Sequence, residues 1–568
     1  MELLKRENSS TTEKFVIANT GMPKELLLND PTIYKYPKLD ESVDEFLSAV
    51  KDGKRIVVYG DYDVDGVTSV SEILLTCRAL KLNNIKFLAP RRFTDGYGIN
   101  INRVKDLIDE GTEVFITVDN GIAAIEPVKL AKENGCKFII LDHHEPVLDD
   151  DGNIILPEAD VICDPHVTGG DLKYGFDDLC GAGIMLHFCL KLIERINVLS
   201  AEEKSLLTDQ LYAFAAIGTV ADLVKLQWNN RQIVKTGLKA INERRVATGL
   251  NKLLEVLGVE SVDSSTIGFN IGPAINAMGR LYDDGANEMV QLFSFTEDCQ
   301  ALEDLCLRAK ATNEERKAKT KEAVDKALEL DFSNDSFIVY KSDAGMPGIA
   351  GLVASKLVET FKRPAICFME IDGILKGSGR TYDSPTHDSV DILSKVNSCK
   401  EYLITFGGHP EALGLSIEEP NLEAFKNALN NITPKFDEAD VAFYDINVTQ
   451  SKMLWGVVKD FEKFEPFGTG NPKPLVHINF RAGDKMGNTK RTMGADAQHL
   501  KLLSDDVSIL WFDGAAEYEA IKEPKYLDII GDLSINEFKG RRSLQIQLMG
   551  YDIPDDNEPA TTLPDGWC

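Results

Sequence analysis

The chain has 568 residues, of which 43% are hydrophobic and 27% charged, a composition typical of soluble globular proteins. Its length exceeds what one hydrophobic core supports and predicts three or four domains, and no apolar run approaches the roughly 20 residues that a membrane span needs. The formal net charge of -29 argues against a surface that binds polyanions throughout, but it does not exclude a local basic channel.

The N-terminus and the cysteines predict a cytoplasmic protein. Residues 1–7 lack the apolar stretch of a signal peptide. The ten cysteines form no CxxC pair, and we interpret them as small, reduced, mostly buried residues. We assign none of them to a metal.

Residues 1–40 contain Pro23, Pro31 and Pro37, which interrupt long elements and predict an irregular N-terminal arm. From residue 41 to about residue 287, predicted helices alternate with short apolar strands. The predicted strands cover residues 56–59, 85–89, 114–118, 138–141 and 161–163. The alternation predicts an α/β domain with a parallel sheet covered on both faces. Ligands of such sheets bind beyond the carboxyl ends of the strands, so residues that end strands are candidates for chemistry.

Acidic and imidazole side chains follow three of these strands, and one more carboxylate follows an apolar helical stretch. In chain order they are Asp61, Asp63 and Asp65; Asp119; Asp142, His143 and His144; and Asp222. Three like charges within five residues repel each other, so we expect a cation or a substrate to offset the repulsion. Carboxylates with imidazoles suit a pair of Mn²⁺ or Mg²⁺ ions better than a structural zinc ion. Such a pair can stabilise both the attacking and the leaving oxygen at phosphorus.

Each of these groups also has a purely structural explanation. A lone Asp after a strand is often a helix N-cap, a His pair can sit in a surface turn, and the DxDxDG spacing also occurs in calcium loops. Capping alone is a poor explanation for three such groups at successive strand ends of one domain.

The same residues resemble the four ordered motifs of the DHH phosphoesterase superfamily. These motifs are Gly60-Asp61-Tyr62-Asp63-Val64-Asp65-Gly66, Val118-Asp119-Asn120-Gly121, Asp142-His143-His144 and Gly218-Thr219-Val220-Ala221-Asp222. Further segments resemble the bacterial members of this superfamily that degrade single-stranded DNA from the 5′ end. They are residues 92–98, 275–280, 377–380, 407–409 and 466–472, and the similarity covers nearly the whole chain after residue 40.

The resemblance implies a role for each candidate residue. It places Asp63 on one metal ion and makes Asp119 the bridge to a second ion. The ligands implied for the second ion are Asp65, His143 and Asp222. Asp61 is either a ligand or a residue that supports one, His144 contacts the scissile phosphate or positions the nucleophile, and Asp142 orients the imidazoles. The residues implied for substrate binding are Arg92, Arg280, Ser378, Arg380, Gly407, Gly408 and His409. Of these, the resemblance implies Arg92, Ser378 and Arg380 for recognition of a terminal 5′-phosphate.

Two positions depart from the residues that relatives commonly carry. They are Asn120 and Thr381, and the effect of Asn120 on the metals is left open.

The remainder of the chain predicts three further parts and a tail. Residues 288–330 lack Pro and Gly and predict a long connecting helix with solvated charges. Residues 331–435 predict a smaller α/β domain that resembles the DHH-associated domain. Its glycine-rich segments either approach phosphate, with Arg380 as a bidentate donor, or are only tight turns.

Residues 436–553 predict short strands that form an OB-like β-barrel. Trp511 and Phe512 are either stacking platforms for bases or part of the barrel core. The basic residues that we place on this barrel are Lys485, Lys490, Arg491, Lys501, Lys539, Arg541 and Arg542. We expect the acidic tail, residues 554–568, to be disordered.

The resemblance implies a monomeric exonuclease that releases 5′ mononucleotides from single-stranded DNA in repair and recombination, with two Mn²⁺ or Mg²⁺ ions as cofactors. It also implies a single-strand-binding protein and a RecQ-type helicase as partners, and no membrane. One alternative is a DHH phosphodiesterase that acts on short RNA or cyclic dinucleotides, against which the strands after residue 444 argue. The other alternative is an inactive replication scaffold, against which the complete set of carboxylates argues.

Overall fold

The computed structural model describes residues 2–6, 11–28, 35–96, 98–149, 151–170, 175–384, 388–435, 441–483, 486–494, 496–538 and 541–554. The predicted acidic tail, Lys485 and Lys539 therefore lie outside the described residues. The chain forms two compact units. The smaller unit contains Met1–Ile33, Leu223–Lys235 and Asp440–Cys568, and the larger unit contains Tyr34–Asp222 and Thr236–Ala439.

The N-terminal segment of the smaller unit holds regular structure where the prolines predicted an irregular arm. Its elements are β1 (Glu2–Lys5), α1 (Thr12–Thr20) and α2 (Lys24–Leu28). Helix α1 begins where the Thr11 side chain accepts a hydrogen bond from the amide of Lys14, and it ends at Gly21, whose φ is 63°. Pro23 lies between α1 and α2, and Pro31 lies outside the described residues.

The first half of the larger unit is built on a five-stranded parallel sheet, as predicted. Its elements are α3 (Leu39–Lys51), β2 (Ile56–Tyr59), α4 (Val64–Ala79), β3 (Ile85–Leu88), α5 (Ile101–Asp109), β4 (Val114–Val118), α6 (Ile125–Glu133), β5 (Lys137–Leu141), β6 (Val147–Leu148), β7 (Ile154–Ile155) and β8 (Val161–Cys163). The strand order is β3-β2-β4-β5-β8, and β6 pairs only with β7. Every residue of β2 and β4 is buried, as expected for parallel strands covered on both faces.

A series of helices follows this sheet. They are α7 (Pro165–Thr168), α8 (Gly181–Arg195), α9 (Ala201–Ala221), α10 (Trp228–Asn242), α11 (Thr248–Leu257), α12 (Ser264–Thr266), a π-helix (Ile267–Ile271), α13 (Gly272–Leu281), α14 (Gly285–Ser294) and α15 (Gln300–Leu328). The single helix expected over residues 288–330 is wrong, because α14 ends at Ser294 and α15 starts at Gln300. In the described part of the chain, none of the helices combines the length and the apolar character that crossing a membrane requires.

The second half of the larger unit is the predicted smaller α/β domain. Its elements are β9 (Ile338–Ser342), α16 (Ala350–Phe361), β10 (Ala365–Ile371), β11 (Ile374–Arg380), α17 (Ile392–Asn397), β12 (Leu403–Gly408), β13 (Ala412–Ile417) and α18 (Leu422–Ile432). The sheet order is β12-β13-β11-β10-β9. Only β9 and β10 run parallel; the other neighbouring pairs are antiparallel.

The C-terminal part of the smaller unit is an open sheet rather than the predicted closed barrel. Its elements are β14 (Val441–Tyr444), β15 (Ile446–Val448), α19 (Leu454–Glu462), β16 (Val476–Arg481), β17 (Lys490–Met493), β18 (His499–Leu502), β19 (Val507–Trp511), α20 (Ala515–Ala520), β20 (Tyr526–Phe538) and β21 (Arg541–Asp552). The order β15-β16-β20-β21-β19-β18-β17 leaves the edge strands β15 and β17 unpaired with each other among the described residues. Strand β14 instead pairs in parallel with β1.

The two aromatic residues at the end of β19 have different environments. Trp511 is 6% exposed and packs against Tyr518 and Tyr551, whereas Phe512 is 50% exposed. The core interpretation therefore holds for Trp511, and Phe512 is the aromatic side chain available for stacking. Part of the expected basic surface is paired with carboxylates, since Lys490 lies 2.5 Å from Glu523.

This difference predicts the effect of alanine substitutions on stability. Trp511→Ala removes a buried ring and should lower the free energy of unfolding of the smaller unit by about 3 to 5 kcal/mol. Phe512→Ala removes an exposed ring and should change it by no more than about 0.5 kcal/mol. Hydrogen exchange of the β19 and β21 amides measures both effects, and equal protection losses in the two variants would contradict the assignment.

Candidate active site

The candidate side chains meet at one edge of the parallel sheet. Strands β2, β4 and β5 are neighbours in register, with Tyr59 opposite Thr117 and Val118 opposite Leu141. Their carboxyl ends therefore deliver the residues that follow them to the same place. Asp222 arrives from the end of α9, which packs against α4.

The ligand-type atoms form three overlapping groups, in each of which they lie within 4.8 Å of one another. Carboxylate oxygens of Asp61, Asp63 and Asp119 make up the first group, and carboxylate oxygens of Asp65 and Asp222 with a ring nitrogen of His143 make up the second. The third group joins Asp119 with His143 and His144. The Nε2 atom of His143 links the first two groups, since it lies 3.1 Å from Asp119 Oδ1 and 3.7 Å from Asp65 Oδ2. Asp119 therefore stands between these two groups, where the bridge was predicted.

Backbone amides hold the carboxylates of Asp65 and Asp63 in place, and Asp119 has an unusual backbone conformation. Asp65 accepts hydrogen bonds from the amides of Gly181 (2.6 Å) and Ala182 (2.9 Å), at the start of α8. Asp63 caps α4, because its Oδ1 accepts from the amides of Asp65 and Gly66. The capping explanation thus applies to Asp63, in addition to its place in the first group. Asp119 itself has a φ of 58°, a left-handed conformation that few residues other than Gly adopt.

Asp142 organises the imidazole pair. Its Oδ1 accepts from the backbone amide of His143 (2.8 Å) and lies 2.8 Å from His144 Nδ1, while its Oδ2 accepts from the amide of Ile122. Burial alone would lower the pKa of His144, but the adjacent Asp142 carboxylate raises it to about 10. Burial and the charge of His144 lower the pKa of His143 to about 4. The pair is therefore one imidazolium, His144, beside one neutral imidazole that can bind a metal, His143.

The buried carboxylates repel one another electrostatically. Burial, then repulsion by Asp65 and Asp63, raises the pKa of Asp119 and of Asp222 well above its usual value. Burial and the charge of Asp63 raise the pKa of Asp61 to about 7. Buried carboxylates that disfavour one another's charge are the arrangement that a divalent cation stabilises. The donor set, carboxylate oxygens with one neutral imidazole, fits Mn²⁺ or Mg²⁺.

Glycines allow the close approach of these elements. A Cβ atom at Gly218 would lie 2.5 Å from Asp65 Oδ1, and a Cβ atom at Gly181 would collide with the side chain of Asp119. Both glycines lie on helices, where Ala would otherwise be preferred. The lack of a side chain at Gly181 and Gly218 leaves room for the side chains of Asp119 and Asp65, respectively.

Arginines lie beside the acidic groups. The guanidinium of Arg92 lies 4.4 Å from the centre of the Tyr62 ring, and Arg280 Nη1 donates to the carbonyl of Gly348 (3.1 Å). Burial, then the charge of Arg92, lowers the pKa of Arg280 to about 10, while Asp63 acts in the opposite direction. These two predicted substrate residues are thus brought together next to the first group.

Arg380 and Ser378 lie at the start of α16. A Cβ atom at Gly351 would lie 2.8 Å from Arg380 Nη2 and 3.6 Å from the Ser378 Cβ. Arg380 Nη1 donates to the carbonyl of Gly379 (2.6 Å), and burial lowers the pKa of Arg380. The two side chains therefore flank the N-terminus of a twelve-residue helix, which favours anions.

The glycine-rich end of β12 and the residue that follows it stand apart from this arrangement. Gly407, Gly408 and His409 are exposed, and the His409 amide donates to the carbonyl of Ala412 in a tight turn. No contact described in the structure joins the three residues to the carboxylates or to the arginines. Their substrate role stays a prediction.

Other contacts at the site were missed by sequence reasoning. The side chain of Asn276 accepts a hydrogen bond from the amide of Val64 at the start of α4. Asn120, which departs from the residue common in relatives, donates through Nδ2 to the carbonyl of Gly60 (2.5 Å). This hydrogen bond joins the segments that follow β4 and β2. Asp164, fully buried after β8, accepts from the His166 amide. Asn120 and Asn276 lie in segments that the sequence analysis singled out, and Asp164 follows a predicted strand. The residues thus carried a signal, but their contacts did not.

Three family models match the chain. They are the DHH family N-terminal domain (residues 55–219), the DHHA1 domain (residues 334–434) and the RecJ OB domain (residues 444–550).

Among curated proteins, the single-stranded-DNA-specific exonuclease RecJ of Haemophilus influenzae is 30% identical over 557 residues, which cover 93% of this chain and 92% of that protein. The RecJ of Bacillus subtilis is 32% identical over 529 residues, covering 90% of this chain. The chain spans only 63% of that relative's length.

Solved structures are similar as well. The RecJ of Thermus thermophilus in complex with Mn²⁺ matches with a TM-score of 0.79 and 25% identity, over 98% of this chain and 79% of that one. An exonuclease RecJ bound to manganese matches with a TM-score of 0.60 and 28% identity, over 72% of this chain and 97% of that one.

The repulsion between carboxylates predicts opposite effects of one substitution with and without metal. Asp119→Asn keeps the shape and tolerates the left-handed backbone, but it removes one buried charge. The metal-free variant should melt at a higher temperature than the metal-free parent. Mn²⁺ at one hundred times its Kd should stabilise the parent by about 2.7 kcal/mol and the variant far less.

Calorimetry of both proteins with and without Mn²⁺ measures these changes. Asp109→Asn, on an exposed position of α5, is the matched control and should leave both melting temperatures unchanged. A metal-free Asp119→Asn variant that melts below the parent would contradict the repulsion.

The close approach of Gly218 to Asp65 predicts that an added methyl group weakens Mn²⁺ binding. In an ordinary helix interior, Gly→Ala stabilises by about 1 kcal/mol, but Gly218→Ala places a methyl group 2.5 Å from the Asp65 carboxylate. We expect at least a tenfold loss of Mn²⁺ affinity. Gly268→Ala, where a Cβ would meet nothing within 4 Å, is the control, and titration calorimetry of Mn²⁺ gives the result. Equal affinities in the two variants would show that the space is not needed.

Proposed function

The chain belongs to the RecJ family of single-stranded-DNA-specific exonucleases, and on that premise we propose that it removes 5′ mononucleotides from single-stranded DNA by metal-dependent hydrolysis. The proposal rests on one observation: the first and second groups of possible metal ligands are adjacent and are linked by His143. Asp61, Asp63 and Asp119 hold one Mn²⁺ or Mg²⁺ ion in this proposal. Asp119, together with Asp65, His143 and Asp222, would hold the second ion.

When bound, the ions act as Lewis acids that polarise the scissile phosphate and stabilise the attacking and leaving oxygens. The protein supplies the remaining charge. His144, which Asp142 keeps protonated, donates a hydrogen bond to a phosphate oxygen, where negative charge grows during hydrolysis. Arg92 and Arg280 hold the neighbouring strand phosphate beside the acidic groups.

Polarity requires recognition of a strand end, because a two-metal centre is indifferent to direction. In the proposal the terminal 5′-phosphate binds Arg380, Ser378 and the first amides of α16. Within the described residues no carboxylate lies within 4.0 Å of the Arg380 guanidinium, which is therefore available for a dianion. The bound end sets the distance from the terminus to the cleaved bond.

Partners and location extend the proposal further. We expect the OB domain to hold the strand beyond the active site, as its family model implies, with Phe512 as one stacking surface. A cytoplasmic location, a monomeric state, and recruitment by a single-strand-binding protein and a RecQ-type helicase rest on the family resemblance alone.

The most direct test uses end-labelled single strands of DNA and RNA with Mn²⁺, Mg²⁺ or a chelator. We expect mononucleotide release from the 5′ end of DNA, dependent on metal. Preference for RNA fragments of a few nucleotides would support the phosphodiesterase alternative, and absence of cleavage would support the scaffold alternative.

The end-recognition pocket makes a separate prediction. Arg380→Ala should remove the preference for 5′-phosphorylated over 5′-hydroxyl strands, at a cost of about 1.5 to 3 kcal/mol for one charged hydrogen bond. The control is Lys376→Ala, an exposed residue of the same strand β11, which should preserve the preference. The ratio of kcat/KM for the two substrates is the measurement, and an unchanged ratio in Arg380→Ala removes this residue from the pocket.

A further inference from the structure

The charges of helix α15 fall into two classes. Several form ion pairs, as expected for a solvated face: Lys321 with Asp325, Lys326 with Glu322, and Arg308 with Glu288 of α14. Arg316 belongs to the other class. It is half-buried, and no carboxylate of the described residues lies within 4.0 Å of its guanidinium.

A buried neighbour holds the Arg316 side chain. Its Nε donates a hydrogen bond to Asn313 Oδ1 (3.0 Å), and Asn313 is only 6% exposed. The Nε bond fixes the plane of the guanidinium and leaves the two Nη groups to bind elsewhere. Burial lowers the pKa of Arg316, which is a cost that a structural surface arginine would not carry.

The position of Arg316 relates it to the active site. Helix α15 packs along α13, which ends with Arg280 and Leu281. The charge of Arg316 contributes, with that of Arg92, to the lowered pKa of Arg280. Arg92 and Arg316 therefore both act on Arg280, which Asp63 also faces, and in the described part of the chain none of the three guanidinium groups has a carboxylate partner within 4.0 Å. Such a cluster is costly unless an anion offsets the repulsion.

We propose that Arg316 is a substrate-binding residue that contacts an internal phosphate of the single strand, next to the phosphate held by Arg92 and Arg280. This inference rests on the proposed function. The ligand class is a phosphodiester of a polynucleotide, because a planar guanidinium fixed at Nε presents two parallel donors to one phosphate. Arg380, at the start of α16, serves the terminal phosphate instead, so the two arginines act on different parts of the strand.

The test is the salt dependence of binding. Arg316→Gln keeps the length and polarity of the side chain but removes its charge. Binding of a 5′-phosphorylated 20-nucleotide single strand is measured in Ca²⁺ from 50 to 400 mM NaCl. The slope of log K against log salt should fall by about 0.7, the value for one lost phosphate contact on a single strand. KM for the same strand in Mn²⁺ should rise about tenfold with a smaller change in kcat.

Three controls separate the possible causes. Lys321→Gln, on the ion-paired face of α15, should keep the parent slope and KM. The preference for 5′-phosphorylated over 5′-hydroxyl strands should be unchanged in Arg316→Gln, since the terminal pocket is intact. Arg316→Lys keeps the charge and should restore the slope while recovering only part of the affinity.

The outcomes also separate this inference from the proposed function. A parent protein that fails to cleave single-stranded DNA overturns both. If the parent is active and the salt-dependence slope and KM of Arg316→Gln equal those of the parent, the inference alone is overturned. A lower melting temperature with an unchanged slope assigns Arg316 to a purely structural role and likewise overturns it.

Discussion

Repulsion among five carboxylates at one edge of a parallel sheet is the constraint on which the rest of the site depends. Asp61, Asp65 and Asp119 are each no more than 3% exposed, and Asp63 and Asp222 complete the set. Water screens charges poorly at this depth, so burial and the neighbouring carboxylates raise the pKa of Asp61, Asp119 and Asp222. A protein with this arrangement either keeps some of the carboxyl groups protonated or binds cations. Of the two, only cation binding also supplies Lewis acids for a reaction.

The surrounding structure holds the negative charges in place without neutralising them. The first amides of α8 bind Asp65, the start of α4 is capped by Asp63, and the one nearby imidazolium, His144, is paired with Asp142 rather than with the metal-binding candidates. Glycines on α8 and α9 bring helices close enough for this to occur. The positive charges that we propose to bind the substrate are arginines on other elements, which would separate metal binding from phosphate binding.

Local patterns predicted the parts of the fold that depend on neighbouring residues. The apolar runs of β2, β4 and β5 and the carboxylates after them are consecutive in the sequence, so their meeting at one sheet edge followed from the parallel topology. Contacts between distant segments could not be predicted in this way. The amides of Gly181 and Ala182 lie more than a hundred positions from Asp65. A closed C-terminal barrel would require the edge strands β15 and β17 to pair, and among the described residues they do not.

The sequence left the environment of Trp511 open, although a signal that could have decided it was present. Trp511 is in phase with Val507 and Ile509 along β19, and this alternation places it in the core, whereas Phe512 follows the strand. Arg316 was interpreted as part of a solvated helix face because spacing alone does not show which neighbours a helix has. The break between α14 and α15 likewise arises in residues 295–299, which contain no Pro or Gly to mark it.

The central claim is that these carboxylates hold two divalent cations. Anomalous diffraction from crystals grown with Mn²⁺ tests it most directly. We predict two peaks, one among Asp61, Asp63 and Asp119 and the other among Asp65, His143 and Asp222, with Asp119 between them. A single peak, or peaks away from this sheet edge, would contradict the account.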